Sequence, residues 1–283
     1  MVKGFVDVHA HIPAKEYLVD AGGVYHQAAA KLFGSSLGSI SAPDMIKEYD
    51  ESGVEKIIVL GWDAEVATGL PKVRNELVAD FIKSYPDRMI GFASVDPNKG
   101  KLAVEELEHS VKDLGLRGLK LHPIAQAFYP NDSRFYPLYE KCVELDIPVI
   151  FHTGTTGWGK GLPGAAGAKL DYANPIYLDF VAADFPKLTV VMAHPSFPWV
   201  DTQLAIAEHK SNAYIDLSGY SPKYFDPTFI THMTKLAPEK FMFGTDYPFL
   251  TPSRWLRGFE SLNLNDEVRN KILRDNAVRV FKL

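Results

Sequence analysis

Five residues of this sequence have side chains and positions suited to holding a divalent metal: His9 and His11 in DVHAH, His152 in VIFHTG, His194 in VVMAHP and Asp246 in FGTDYP. Imidazole nitrogen and carboxylate oxygen are donors that zinc and related cations accept. His9 and His11 are two apart, so in a strand both rings leave the same face and can grip one ion. Taken singly, each residue has a plainer explanation. A histidine ending an apolar segment, as His152 and His194 do, is commonly a buried ring satisfied by a backbone carbonyl, and Asp246 before Tyr247-Pro248 suits a turn or cap. Gathered at one rim they read differently, because unpaired imidazoles and carboxylates carry a desolvation cost that a shared function would have to offset. Lys120 and His122, in GLKLHP, have the same kind of placement.

Such residues act together only if the elements carrying them end at one place. Apolar, β-branched runs predict eight strands, at 4–11, 55–62, 89–97, 116–123, 147–154, 188–195, 212–219 and 240–248. Between and after them, segments 43–53, 75–86, 101–115, 132–146, 175–186, 198–210, 226–238 and 265–281 have helical spacing, most with Asp, Asn or Pro near the start. Strict alternation of eight strands with eight helices predicts an α/β fold, a (β/α)8 TIM barrel in one domain over 1–283. The candidate residues then fall at the C-terminal ends of strands one, four, five, six and eight, the face where such barrels keep their chemistry. Two long Gly-rich connections, 12–42 and 153–174, follow strands one and five and are expected to wall the pocket.

Composition excludes several other roles. A net charge of −5 leaves no basic footprint for a phosphate backbone, so nucleic acid is not an expected partner. No apolar run approaches the roughly 20 residues of a membrane-spanning helix. The opening MVKGFVDVHAHIP lacks the pattern of a signal peptide, and the single cysteine, Cys142, permits no internal disulfide. Together these place the protein in the cytoplasm.

The elements DVHAH (7–11), GLKLHP (118–123), PVIFHTG (148–154), VVMAHPSFPW (190–199), FGTDYP (243–248) and DNAVRVF (275–281) resemble the amidohydrolase superfamily along nearly the whole chain. The similarity is to its amidohydrolase-related branch (amidohydrolase 2), which holds aminocarboxymuconate semialdehyde decarboxylase and resorcylate-type decarboxylases beside hydrolases. The resemblance implies that His9, His11, His152 and Asp246 hold a catalytic divalent cation, usually Zn2+ with Mn2+ also suited, and that His194 contacts the activated water or the substrate. Asp246 can also take a proton there, and the roles of Asp246 and His194 can be exchanged. Lys120 lies where binuclear relatives carry a carbamylated lysine bridging two ions, in which case His194 binds the second. The decarboxylase branch works with one metal, and one ion is the expectation here. Lys120 otherwise binds a substrate carboxylate or pairs with an acid.

The leading expectation is a metal-dependent hydrolase of a small amide, lactone or cyclic ester. The alternative is non-oxidative decarboxylation of an aromatic or muconate-like acid at the same site. Hydrolysis stands ahead because several decarboxylases of the branch are longer and no unambiguous carboxylate clamp is visible. Arg254 and Arg257 are candidate carboxylate contacts, and Trp62, Trp158 and Tyr220 could cover a planar ligand, although solvated arginines and simple packing explain them as well. His122 lines the pocket or faces solvent. His26, His109, His209 and His232 are read as surface residues without a role. A small-molecule substrate, carboxylate-bearing in the alternative, is the expected partner, and the resemblance implies a homo-oligomer.

Overall fold

The computed structural model describes residues 4–34 and 36–283. Residues 1–3, which open the stretch read for a signal peptide, and residue 35, in the first long connection, lie outside the described residues. Eight strands form one parallel sheet in sequence order: β1 (Phe5–His11), β2 (Val54–Leu60), β3 (Met89–Ser94), β4 (Leu119–Leu121), β5 (Val149–His152), β6 (Val190–Ala193), β7 (Ala213–Asp216) and β8 (Phe241–Met242). The seam between the last strand and the first is drawn together by residues beyond β8. Val8 N donates to the Phe243 carbonyl at 3.0 Å, Asp246 N to that of His9 at 2.8 Å, and His11 N to that of Tyr247 at 2.8 Å. This is the eight-stranded barrel that the alternation predicts, and its strands are apolar because both faces are covered.

Strand phase determines which side chains face inward. Lys120 is in register with Ile150, and Ile150 with Val191, so these three share the inner face. Val6 and Val8 belong to the same buried cluster as Ile150 and Val191. Regular alternation would then turn His9 outward. The pairing of β1 with β2 is irregular between Asp7 and Ala10, and His9 comes within 3.4 Å of Lys120 Nζ, so the irregularity re-aims the His9 ring into the barrel.

Helices cover the outside where amphipathic spacing predicts them: Ala42–Glu51, Asn75–Lys83, Lys101–Lys112, Tyr136–Glu144, Ile176–Asp184 and Val200–His209. Ser41 caps the first of these, its side chain accepting from Asp44 N at 3.2 Å. Segments 226–238 and 265–281 are helical in short pieces broken by π-type turns at His232–Leu236 and Lys271–Asp275. Among the described residues two further α-helices of nine residues or more escape the sequence pattern. Gly23–Phe33 lies within the first connection, where Gly22 and Gly23 at its start and Gly34 at its end read as loop signals, and Pro252–Glu260 follows β8. Among the described residues no helix is long and apolar enough to cross a membrane.

Candidate metal centre and active site

The C-terminal ends of the strands open into a cavity of about 330 Å³ whose lining includes His9, His11, Lys120, His122, His152, His194 and Asp246. His9, His11 and Asp246 form its tightest group, with one potential ligand atom from each within 4.8 Å of the others. The Nε2 atoms of His9 and His11 are each 3.5 Å from Asp246 Oδ1. His152 lies beside this group. Its ring stacks on that of His122 at 3.9 Å between centroids and is 4.7 Å from that of His194, and its buried Nε2 has no hydrogen-bond partner. His152 stands outside the three-residue group, but an orphaned imidazole nitrogen in the same cavity suits a metal ligand, and nitrogen with oxygen donors is the set that zinc and manganese accept.

Neighbouring groups decide which ring nitrogens can bind. His9 Nδ1 is 2.5 Å from Asp216 Oδ2, so the proton on Nδ1 is donated to that carboxylate and the Nε2 lone pair is turned to the cavity. Ser218 Oγ bridges Asp216 Oδ2, His9 Nδ1 and His194 Nδ1 at 3.0, 3.0 and 2.9 Å. His194 Nδ1 also donates to the Ser218 carbonyl at 3.0 Å, leaving Nε2 as its working nitrogen. Asp7, buried on the outer side of β1, accepts from Thr245 N and Oγ1, His9 N and Tyr49 Oη at 2.6 to 3.0 Å, tying β1 to the segment that carries Asp246.

Burial dominates the electrostatics. It pushes the Asp7 carboxyl up to about 7 and that of Asp216 up to about 6, against the hydrogen bonds and positive neighbours that lower them. His9 is held well below the usual imidazole range, first by burial and then by the Lys120 charge. Burial also lowers Lys120 to about 8, opposed by Asp216 and Asp246. For Asp246 burial alone would raise the carboxyl, but the His11 hydrogen bond and the charges of His9 and His194 outweigh it, so it stays a carboxylate far below its ordinary range.

His194 and Asp246 share a backbone feature. Both have positive φ, 73° and 70°, a region that is uncommon for non-glycine residues and frequent at functional sites. His194 N donates to the Asp216 carbonyl at 2.8 Å, while the bond from Asp246 N to His9 holds the other. Gly219 makes room for this arrangement: a Cβ there would stand 2.6 Å from His194 Nδ1, and its own φ is 75°.

All the sequence-predicted site residues, His9, His11, Lys120, His152, His194 and Asp246, meet in this cavity, and His122, Trp62, Trp158, Tyr220 and Arg254 also line it. Arg257 does not. The surface reading of His26 is corrected: on the helix missed in the first connection, it is 4% exposed, packs against Tyr17 and Trp158 and lines the cavity. Asp216 and Ser218 were passed over although NAYIDLSG places them at the end of a predicted strand, and that position was the available signal.

Residues 6–283 match the amidohydrolase family (Amidohydro_2), and the chain belongs to it. It is similar to a gamma-resorcylate decarboxylase of Polaromonas sp. strain JS666, with 22% identity over 328 residues covering 100% of this chain and 99% of the relative. Among solved structures it resembles an uncharacterized TIM-barrel protein from Bordetella bronchiseptica, at 27% identity and a TM-score of 0.80, with 98% of each chain covered. It also resembles the dihydroxybenzoic acid decarboxylase of Polaromonas sp. JS666 with bound manganese and the inhibitor 2-nitroresorcinol, at 22% identity and a TM-score of 0.75, covering 99% of this chain and 97% of the other. The expectation of a hydrolase is thereby corrected: relatives matched along nearly the full length of both chains are decarboxylases. Greater length in some decarboxylases did not discriminate, because loops outside the barrel can be shortened without touching the site.

Proposed function

We propose that this protein is a metal-dependent, non-oxidative decarboxylase of a planar carboxylic acid, aromatic or muconate-like. The observation that carries the reading is end-to-end similarity to a gamma-resorcylate decarboxylase joined to a cavity in which histidines, a carboxylate and a buried lysine converge. His9, His11 and Asp246 would hold one divalent ion, zinc or manganese, with His152 as the fourth ligand. When bound, that cation supplies positive charge that holds and polarises substrate oxygens. Lys120 adds a second positive charge beside it, suited to a carboxylate. Trp62 and Trp158, whose rings pack on each other at 4.9 Å, add apolar aromatic surface to the cavity lining, suited to a planar acid.

The proton transfer is assigned to His194. With Nδ1–H held by the Ser218 carbonyl, Nε2 is the nitrogen that takes and gives a proton. As the bond to the carboxylate carbon breaks, its electron pair stays on the ring or chain carbon, carbon dioxide leaves, and that carbon is completed by a proton that Nε2 has first taken up from solvent. Turnover in D2O tests this directly. One deuterium is expected at the carbon that bore the carboxylate, and product without deuterium there would count against proton delivery.

A further inference from the structure

His122 joins β4 to the short helix Pro123–Gln126, and the backbone selects the tautomer of its ring. The amide of Ala125 donates to His122 Nδ1 at 3.1 Å. An amide N–H only donates, so Nδ1 holds a lone pair and the ring proton is on Nε2. The turn is pinned: Gln126 Oε1 accepts from His122 N at 2.8 Å, and Gln126 Nε2 donates to the carbonyls of Asp63 and Val95 at 2.7 and 2.9 Å. The ring is wedged between His152, on which it stacks, and Trp62, edge-on at 5.1 Å.

His122 Nε2 is 3.4 Å from Thr156 Oγ1. That hydroxyl oxygen also accepts from Trp158 N at 3.0 Å. With both lone pairs facing N–H groups, Thr156 has only its own proton to offer a ligand. The single Nε2 proton of His122 faces Thr156, so at this spot, where the loops after β4 and β5 meet, the Thr156 hydroxyl presents a donor and no free acceptor.

We propose that Thr156 Oγ–H, its lone pairs held by His122 Nε2–H and Trp158 N–H, is a donor that recognises an unprotonated oxygen of the substrate, a carboxylate, phenolate or carbonyl oxygen, and so sets specificity and orientation, with His122 as its positioning residue. The choice of substrate rests on the decarboxylase reading above, whereas the donor character of Thr156 rests on the hydrogen bonds alone. A ligand presenting a hydroxyl proton at this spot meets a second proton and is disfavoured, because a site built to pair with one polarity leaves the opposite one unsatisfied.

The test combines side-chain nitrogen NMR with calorimetry of metal-loaded protein, using 2,6-dihydroxybenzoate and benzoate as probes. The NMR spectrum is expected to show His122 protonated on Nε2 and bare on Nδ1. His122→Asn keeps a side-chain oxygen to cap Ala125 N but removes the ring N–H that holds Thr156 as a donor, and Thr156→Val removes the hydroxyl. Each is expected to bind 2,6-dihydroxybenzoate about tenfold more weakly, with melting temperature and metal content unchanged. An equal loss for benzoate assigns the Thr156 hydroxyl to the carboxylate, and a loss confined to the dihydroxy acid assigns it to a ring oxygen. A proton on Nδ1, or wild-type and His122→Asn binding curves that superimpose, flat ones included, would overturn the proposal. A binding difference without carbon dioxide release would leave the Thr156 donor standing and remove the decarboxylase reading.

Discussion

A carboxylate that touches no substrate decides how His9 works. Asp216 takes the Nδ1 proton and turns the Nε2 lone pair toward the cavity, and a ligating histidine left without such a partner loses orientation and basicity. Asp216→Asn is therefore expected to weaken metal affinity about 10- to 100-fold, measured by competition with a chromogenic chelator. Unchanged affinity would mean that His9 is not a ligand. Lys120 decides the metal count. If one ion is held, Lys120→Ala leaves the content near one per chain by elemental analysis, whereas a fall from about two to about one would establish a bridging carbamate. Elsewhere, Cys142 is fully buried and burial raises its thiol far above the ordinary range. It should resist alkylation in the native protein and react on unfolding, and rapid native labelling would contradict its placement.

At the scale of elements, loops and strand ends hold the reactive groups in conformations that composition does not announce. Gly219, just after β7, leaves the space that His194 Nδ1 occupies. Gly219→Ala should displace that ring and lower kcat on the order of a hundredfold while the metal stays bound, and wild-type kcat would refute the claim. The missed helix Gly23–Phe33 carries His26, which burial lowers from 6.5 to about 4. A depressed imidazole contributes stability above pH 6.5 that is lost as pH falls through about 4, because the unfolded chain takes up the proton first. Urea unfolding should therefore show stability declining across that window, less steeply in His26→Gln. Equal slopes would show that His26 is not buried as described. This helix was hidden by the glycines at its ends. His9 and His11 were legible because a two-residue spacing survives a strand irregularity that follows Asp7, although the irregularity itself, which turns His9 inward beside Val8, leaves no trace in apolar alternation. Positive φ at His194 and Asp246 was equally invisible, since it depends on hydrogen bonds to residues distant in sequence.

For the whole molecule, periodicity sufficed to derive the barrel, because each strand needs covering on two faces and short connections leave one topology. Chemistry was harder to read. Hydrolysis and decarboxylation can use the same histidines and aspartate, and differ in whether water or a substrate carbon receives what the site delivers. Carbon dioxide released from a panel of hydroxybenzoic and muconate-like acids by protein loaded with one metal ion per chain is the most direct measurement. The account predicts one carbon dioxide per acid consumed, abolished by Asp246→Asn. Acid production from lactones or amides by the same loaded protein, with no carbon dioxide from any acid of the panel, would contradict it.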